Sequence, residues 1–296
     1  MKLTTEQKDA IKANLQAYIA SYGSQNKAAN SLDVAAATLS AINKGDYSKI
    51  SDEMWLKLST KIGGKTEGQR VFVETAVTRD LSFCMRENRL NRDFIWAISP
   101  AGSGKTIAAK IARNDPNTFY ILCDEDMKKK EFALEFARSA GLEVNRSKNA
   151  RSIILEVVEH IRKRQNVLLI FDEADKLSDN ILNYFITIFN YFEDMSGNQS
   201  VGIQFISTDY ISTRMERGLR YKKKGYQELW SRLGAKFYEV DSNTAYDVEA
   251  ICRARGVVAQ RDINEVIKEA DRTRYDLRRV ARKINAIMRK NQQQGV

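Results

Sequence analysis

Ser99-Pro100-Ala101-Gly102-Ser103-Gly104-Lys105-Thr106 follows the apolar run FIWAIS (residues 94–99) and leads at once into the helical pattern IAAKIAR. A strand, a glycine-rich turn and a helix opening on Lys-Thr form a P-loop, in which backbone N–H groups and the helix N-terminus cradle phosphates. Lys105 is then expected to reach the β- and γ-phosphates of ATP, and Thr106 to hold Mg²⁺. Ser99, Pro100, Ala101, Gly102, Ser103, Gly104 and Ile107 complete the expected nucleotide cradle. The usual pattern opens on glycine. Ser99 stands at that position, which bears on the tightness of the first turn and leaves the Gly104-Lys105-Thr106 grip intact.

Sixty-seven residues beyond Lys105, VLLIF (167–171) runs directly into Asp172-Glu173-Ala174-Asp175. Two carboxylates at the C-terminal end of a fully apolar strand lie where open α/β sheets bind ligands. Asp172 is expected to bind Mg²⁺ through water, and Glu173 to polarise the attacking water. TFYILC (118–123), GIQFIS (202–207) and AKFYEV (235–240) complete a set of five short runs rich in aromatic or β-branched residues. Helix-period segments lie between them at about 105–113, 128–140, 150–164 and 178–193. Such alternation predicts an α/β fold with a five-stranded parallel sheet covered by helices on both faces. From about residue 244 only helical patterns remain, so a small all-α domain is expected over 244–296.

With 296 residues, 43% apolar and 29% charged, the chain is long enough for one substantial core and smaller satellites. The glycine-dense KIGGKTEGQR suggests a hinge and a boundary near residue 66, giving an α/β domain over 67–243 and an N-terminal domain over 1–66. Lys+Arg outnumber Asp+Glu by 48 to 38, a net charge of +10 that suits a polyanionic partner, nucleic acid first. No apolar run is long enough to span a bilayer, and charged residues interrupt the first twenty positions, so a soluble, cytoplasmic protein without a membrane anchor is expected. Cys84, Cys123 and Cys252 are too far apart for a metal-ligand pair and read as reduced core thiols. The lone His160 argues against a His-based zinc site or triad.

Residues 24–45, SQNKAANSLDVAAATLSAINKG, predict two short helices around a tight turn, with Ala29 at their crossing and Leu32, Val34, Leu39 and Ile42 buried. Gly45 ends the second helix, and Asp33 stands where a turn glycine is customary. The second helix offers Ala35, Ala36, Ala37, Thr38, Ser40 and Ala41, none of which makes the bidentate pairs that read bases. Lys27, Lys44 and Lys49 remain to grip phosphates, and binding to double-stranded DNA with little sequence preference is expected. Within residues 214–236, eight basic residues, Arg214, Arg217, Arg220, Lys222, Lys223, Lys224, Arg232 and Lys236, face only Glu216 and Glu228. This patch, Arg220 and Lys222–Lys224 above all, is a second expected contact with DNA phosphates.

The two nucleotide motifs resemble those of AAA+ ATPases, over roughly residues 70–290. The resemblance implies ATP hydrolysis and a γ-phosphate sensor at the end of the fourth strand, Thr208 or Ser207. It also implies an arginine acting on a neighbouring subunit's site, best matched by Arg232 in LWSRLGAKFYEV, and a second sensor arginine in RYDLRRVARKI, Arg278 with Arg279 next. Leu277, Val280, Ala281 and Ile284 form an apolar stripe there. A pair of helices resembling the phage-repressor helix-turn-helix, followed by this core and a basic helical end, is similar to the MuB family of transposition ATPases, with TnsC and IstB as relatives. That resemblance implies ATP-dependent assembly on target DNA as a ring or helical filament and delivery of the DNA to a transposase. A helicase loader of the DnaC class and an ATP-gated transcription regulator are the alternatives.

Overall fold

The computed structural model describes residues 5–22, 24–32, 34–48, 50–61, 72–193 and 199–293. Each of the five apolar runs contains a strand: β1 (Phe94–Ile98), β2 (Thr118–Leu122), β3 (Val167–Asp172), β4 (Val201–Ser207) and β5 (Tyr238–Glu239). All pair in parallel, in the order β2-β3-β4-β1-β5. The neighbouring β3 and β4 are buried along their whole length, which is why β3 is apolar up to Asp172 and β4 is apolar apart from Gly202, the buried Gln204 and the terminal Ser207. β5 is shorter than its run, because Gly234 (φ 69°) and Ala235 (φ 55°) form a left-handed turn at the start of it. Pairing with β1 then holds only Tyr238 and Glu239.

Helices cover both faces. One face, with Trp96, Phe171 and Phe205, packs on α7 (Lys129–Ser139), α8 (Ala150–Arg162), α9 (Asp179–Phe192) and α11 (Tyr226–Arg232). Phe205 sits at the centre of this layer, stacked on Trp96 at 4.6 Å and edge-on to Phe185 at 4.7 Å. On the opposite face the alternate residues Ala97, Leu168, Ile170 and Ile206 meet α5 (Ala76–Asn91) and α6 (Lys105–Ala112). The sequence pattern does not announce α5, because its buried stripe includes a polar residue. Asn88 is fully buried and donates to the Ile203 carbonyl at 3.1 Å and to Gln204 Oε1 at 2.9 Å. Gly202 permits this approach, since a Cβ there would lie 2.6 Å from the Asn88 carbonyl oxygen.

Beyond β5, α12 (Ala245–Ala254), α13 (Gln260–Asp271) and α14 (Leu277–Gln293) enclose their own apolar cluster, including Val280 and Ile284 of the expected stripe. Asp247 ties α12 to the start of α5, accepting from Ala76 N–H at 3.0 Å and Thr244 N–H at 2.7 Å. The chain divides into two compact units, Met1–Val71 and Phe72–Val296. In the first, α1 (Thr5–Tyr22), α2 (Gln25–Leu32), α3 (Ala36–Lys44) and α4 (Asp52–Lys61) surround Leu15, Ala29, Leu32, Leu39, Ile42 and Trp55. Val34 packs against them half-buried. Gly45, at φ 81°, ends α3 by donating its N–H to Ala41 and Ile42 carbonyls. Asp33, Lys49 and the expected boundary at residue 66 lie outside the described residues. No described helix is long and apolar enough to cross a membrane. The three cysteines are free and buried, and His160 lies half-buried on α8, 2.9 Å from Arg164 Nη2.

Candidate functional site

The loop between β1 and α6 is shaped by two glycines with positive φ, Gly102 at 75° and Gly104 at 109°. These conformations turn successive backbone N–H groups inward ahead of the α6 N-terminus, an arrangement suited to phosphate oxygens. Ser99, at the atypical first position, is buried and donates to Ser103 Oγ at 2.9 Å, so a side-chain bond braces the first turn. Asn243, just past β5, donates to the Ser103 carbonyl at 2.8 Å. Lys105 Nζ is held 2.7 Å from the carbonyls of both Ser99 and Pro100. Its pKa is lowered by burial, against the opposing pull of Asp172, Asp175 and Glu173 nearby.

Asp172 ends β3 with no exposed surface. Burial raises its pKa, opposed by hydrogen bonds from the Thr106 and Tyr120 hydroxyls. Thr106 and Asp172 therefore form one hard-oxygen pair at the mouth of the P-loop. Among the described residues no group of three or more His, Cys, Asp or Glu could hold a metal ion. Such a pair fits Mg²⁺, which is usually held by one or two protein oxygens together with substrate phosphates. Glu173 leaves the strand in a left-handed conformation, φ 57°, and its half-buried carboxylate pairs with Lys176.

The end of β4 separates the two sensor candidates. Ser207 is buried and accepts from Trp96 Nε1 at 2.8 Å, whereas the half-buried Thr208 donates to Asp175 Oδ2 at 2.6 Å. The C-terminal helices meet the same loop. Leu277 N–H donates to the Gly102 carbonyl at 2.9 Å, and the positive charge of Arg278 is felt at Lys105. Arg279 instead lies 4.0 Å from Glu269. Ile107 is exposed on α6.

Arg232 lies apart from this cluster. It donates to Asn190 Oδ1 at 2.6 Å and Glu228 Oε1 at 3.3 Å, with its guanidinium 4.5 Å from the Phe189 ring centre. The basic segment after β4 is α10 (Tyr210–Arg220), an exposed turn carrying Lys222, Lys223 and Lys224, and α11. An anchor that the sequence pattern did not reveal holds it. Asp179 accepts from Arg214 Nη2 at 2.5 Å, Tyr226 Oη at 2.7 Å and Lys223 Nζ at 3.3 Å, and its pKa falls to about 2. Arg214 also donates to the Asp175 carbonyl at 2.9 Å, so the basic turn and Thr208 converge on one acidic stretch. In the N-terminal unit Lys27 and Lys44 are exposed, Thr38 is half-buried, and Ser40 Oγ accepts from Gln25 Nε2 at 2.7 Å.

A parallel sheet in this order, with a P-loop after β1, paired acids after β3 and a helical C-terminal region, defines an AAA+ α/β core. The AAA domain family matches residues 88–215, from the end of α5 into α10. The fold is similar to the Aeropyrum pernix ORC2 protein in its ADPNP-ADP complexes, at 15% identity and a TM-score of 0.53, over 75% of this chain and 65% of that one. The ADP form of that protein gives 15% identity and a TM-score of 0.55, over 76% and 66%. CDC6P from Pyrobaculum aerophilum gives 16% and 0.53, over 76% and 65%. The chain thus spans about two thirds of the length of these proteins, and at such identities the likeness is one of fold. No curated protein sequence matches the chain.

Proposed function

We propose that the chain is a Mg²⁺-dependent ATPase that assembles on double-stranded DNA with little sequence preference, as a ring or helical filament, and delivers that DNA to a transposase in the cytoplasm. The convergence of Lys105, Thr106, Asp172, Glu173, Thr208 and Arg278 at one edge of the sheet carries the ATPase part. Lys105, moving off the two loop carbonyls, and the P-loop N–H groups bind the β- and γ-phosphates. Asp172 and Thr106 hold the metal, which when bound neutralises charge on the phosphate oxygens. Glu173, released from Lys176, orients the attacking water, and Thr208 reports on the γ-phosphate from the Asp175 side. Arg278 adds positive charge from α14. Arg232 acts on a neighbour's site only after leaving Asn190 and Glu228.

Support for DNA binding is electrostatic: an exposed turn with three consecutive lysines and a net charge of +10. Ala36, Ala37, Thr38, Ser40 and Ala41 of α3 offer no side chain for bidentate base readout, and the Oδ1 of Asn43 in its last turn is buried. The test is fluorescence anisotropy on unrelated duplexes with and without ATP across salt concentrations. ATP-dependent binding that weakens steeply with salt and varies little with sequence is expected. Preference for one short sequence by about a thousandfold, the scale of specific sites, would instead mark an operator-binding regulator. Stimulation of a co-encoded transposase on the bound DNA separates target delivery from helicase loading.

A further inference from the structure

A fully buried carboxylate depends on protein donors for the solvation it has lost, and those donors also decide which way it points. Asp172 has two well-formed ones: Glu173 N–H donates to Oδ1 at 3.0 Å and the Tyr120 hydroxyl donates to Oδ2 at 3.0 Å, while the nearby Thr106 hydroxyl also favours its charged form. Thr106 and Glu173 belong to the two nucleotide motifs. Tyr120 belongs to neither: it lies on β2, an edge strand, whose Leu122 is opposite Asp172 in the parallel register. Its ring packs against the cluster between the sheet and α5–α6, with the Arg113 guanidinium 6.0 Å from the ring centre. The half-buried ring thus leads its hydroxyl along the sheet face to the acid.

We propose that Tyr120 is a positioning residue for the Mg²⁺-side acid, its hydroxyl fixing the plane of the Asp172 carboxylate so that the acid and Thr106 are presented together to the metal. The inference rests on the reading of Asp172 as that acid. Bonds at opposite oxygens, one from the backbone of the residue that follows the acid and one from the adjacent strand, oppose rotation about the Cβ–Cγ bond. Without the hydroxyl, one oxygen keeps its charge and loses a donor, and the carboxylate turns toward whatever donor remains.

The experiment titrates MgCl₂ into the full chain with a fluorescent, non-hydrolysable ATP analogue and reads analogue affinity with and without metal. Tyr120→Phe keeps the ring and removes only the donor. It is expected to raise the Mg²⁺ concentration for half-maximal effect about tenfold, the scale for losing an outer-shell partner of a metal ligand, while metal-free affinity stays unchanged. Tyr120→Met, which keeps an apolar side chain without a donor, carries the same expectation if the first variant folds poorly. Asp172→Asn should shift the Mg²⁺ dependence further, and adding Tyr120→Phe to it should change nothing more. If Asp172→Asn shifts the dependence and neither Tyr120 variant does, Tyr120 has no positioning role and the site reading stands. Equal weakening with and without metal in the Tyr120 variants also overturns the inference, marking the ring as packing only. If Asp172→Asn itself leaves the Mg²⁺ dependence unmoved, both the site reading and the inference fall.

Discussion

Replacing Gly102 by alanine probes the contact through which the C-terminal helices meet the P-loop. Gly102 has a φ of 75°, and a Cβ built there lies 2.1 Å from Asp276 Oδ1 and 2.5 Å from its Cγ. An L-residue in the left-handed region costs about 1–2 kcal/mol. Asp276 must also move. Its Oδ1 accepts the Arg278 N–H at 2.9 Å at the start of α14, and losing a helix-capping bond costs about 0.5–2 kcal/mol. Together these predict a destabilisation of about 1.5–4 kcal/mol, a large share of a typical domain stability of about 5–15 kcal/mol. The assay is urea unfolding followed by tryptophan fluorescence, with Trp55→Phe in every variant so that only Trp96 and Trp230 of the second unit report. Asp276→Ala supplies the control, because it removes both the obstacle and the cap. On that background Gly102→Ala should cost only the backbone part, leaving a coupling of about 0.5–2 kcal/mol. Equal costs in the two backgrounds, within about 0.3 kcal/mol, would refute the contact between Gly102 and Asp276.

Further outcomes can be measured on the same protein. Glu173→Gln should bind ATP while hydrolysing it slowly, and Lys105→Ala should lose binding; normal turnover in Glu173→Gln would remove Glu173 as the water-orienting group. Replacing Lys222, Lys223 and Lys224 together by alanine should weaken binding equally on unrelated duplexes. It should also make the slope of log affinity against log salt shallower by about two, since each phosphate contact contributes about 0.9 and Lys223 is already paired with Asp179. An unchanged slope would place the DNA contact elsewhere. Asp179 has its pKa depressed from 3.8 to about 2, so its contribution to stability is present above pH 4 and lost as pH falls toward 2. Asp179→Asn should flatten acid unfolding over that window, and an identical profile would contradict the Arg214–Asp179–Tyr226 anchor. Burial pushes Cys84 up to about 12 and Cys252 to about 11, so iodoacetamide at pH 8 should label these thiols only as the chain unfolds.

The P-loop and the acidic pair could be read from the chain because their chemistry is local. Gly102 and Gly104 supply left-handed backbone within a few residues of Lys105, and the unbroken apolar β3 delivers Asp172 and Glu173 to the sheet edge whatever packs around it. The five strands and their parallel pairing were legible for the same reason, since β-branched runs separated by helical periods leave few ways to bury both faces of a sheet. Residues whose roles depend on contacts distant in sequence were not. Asn88 makes α5 look too polar until Ile203 and Gln204 come within reach. Ser207 and Thr208 are adjacent and chemically alike, and only Trp96 on one side and Asp175 on the other distinguish them. Tyr120 carries no motif, and its hydroxyl meets Asp172 only because β2 and β3, some fifty residues apart, pair in one register. Asp179, Arg214 and Tyr226 likewise assemble across three helices. Local propensity and backbone conformation are written in short stretches of chain, whereas the partner of a buried polar atom is chosen by the packing of the whole unit.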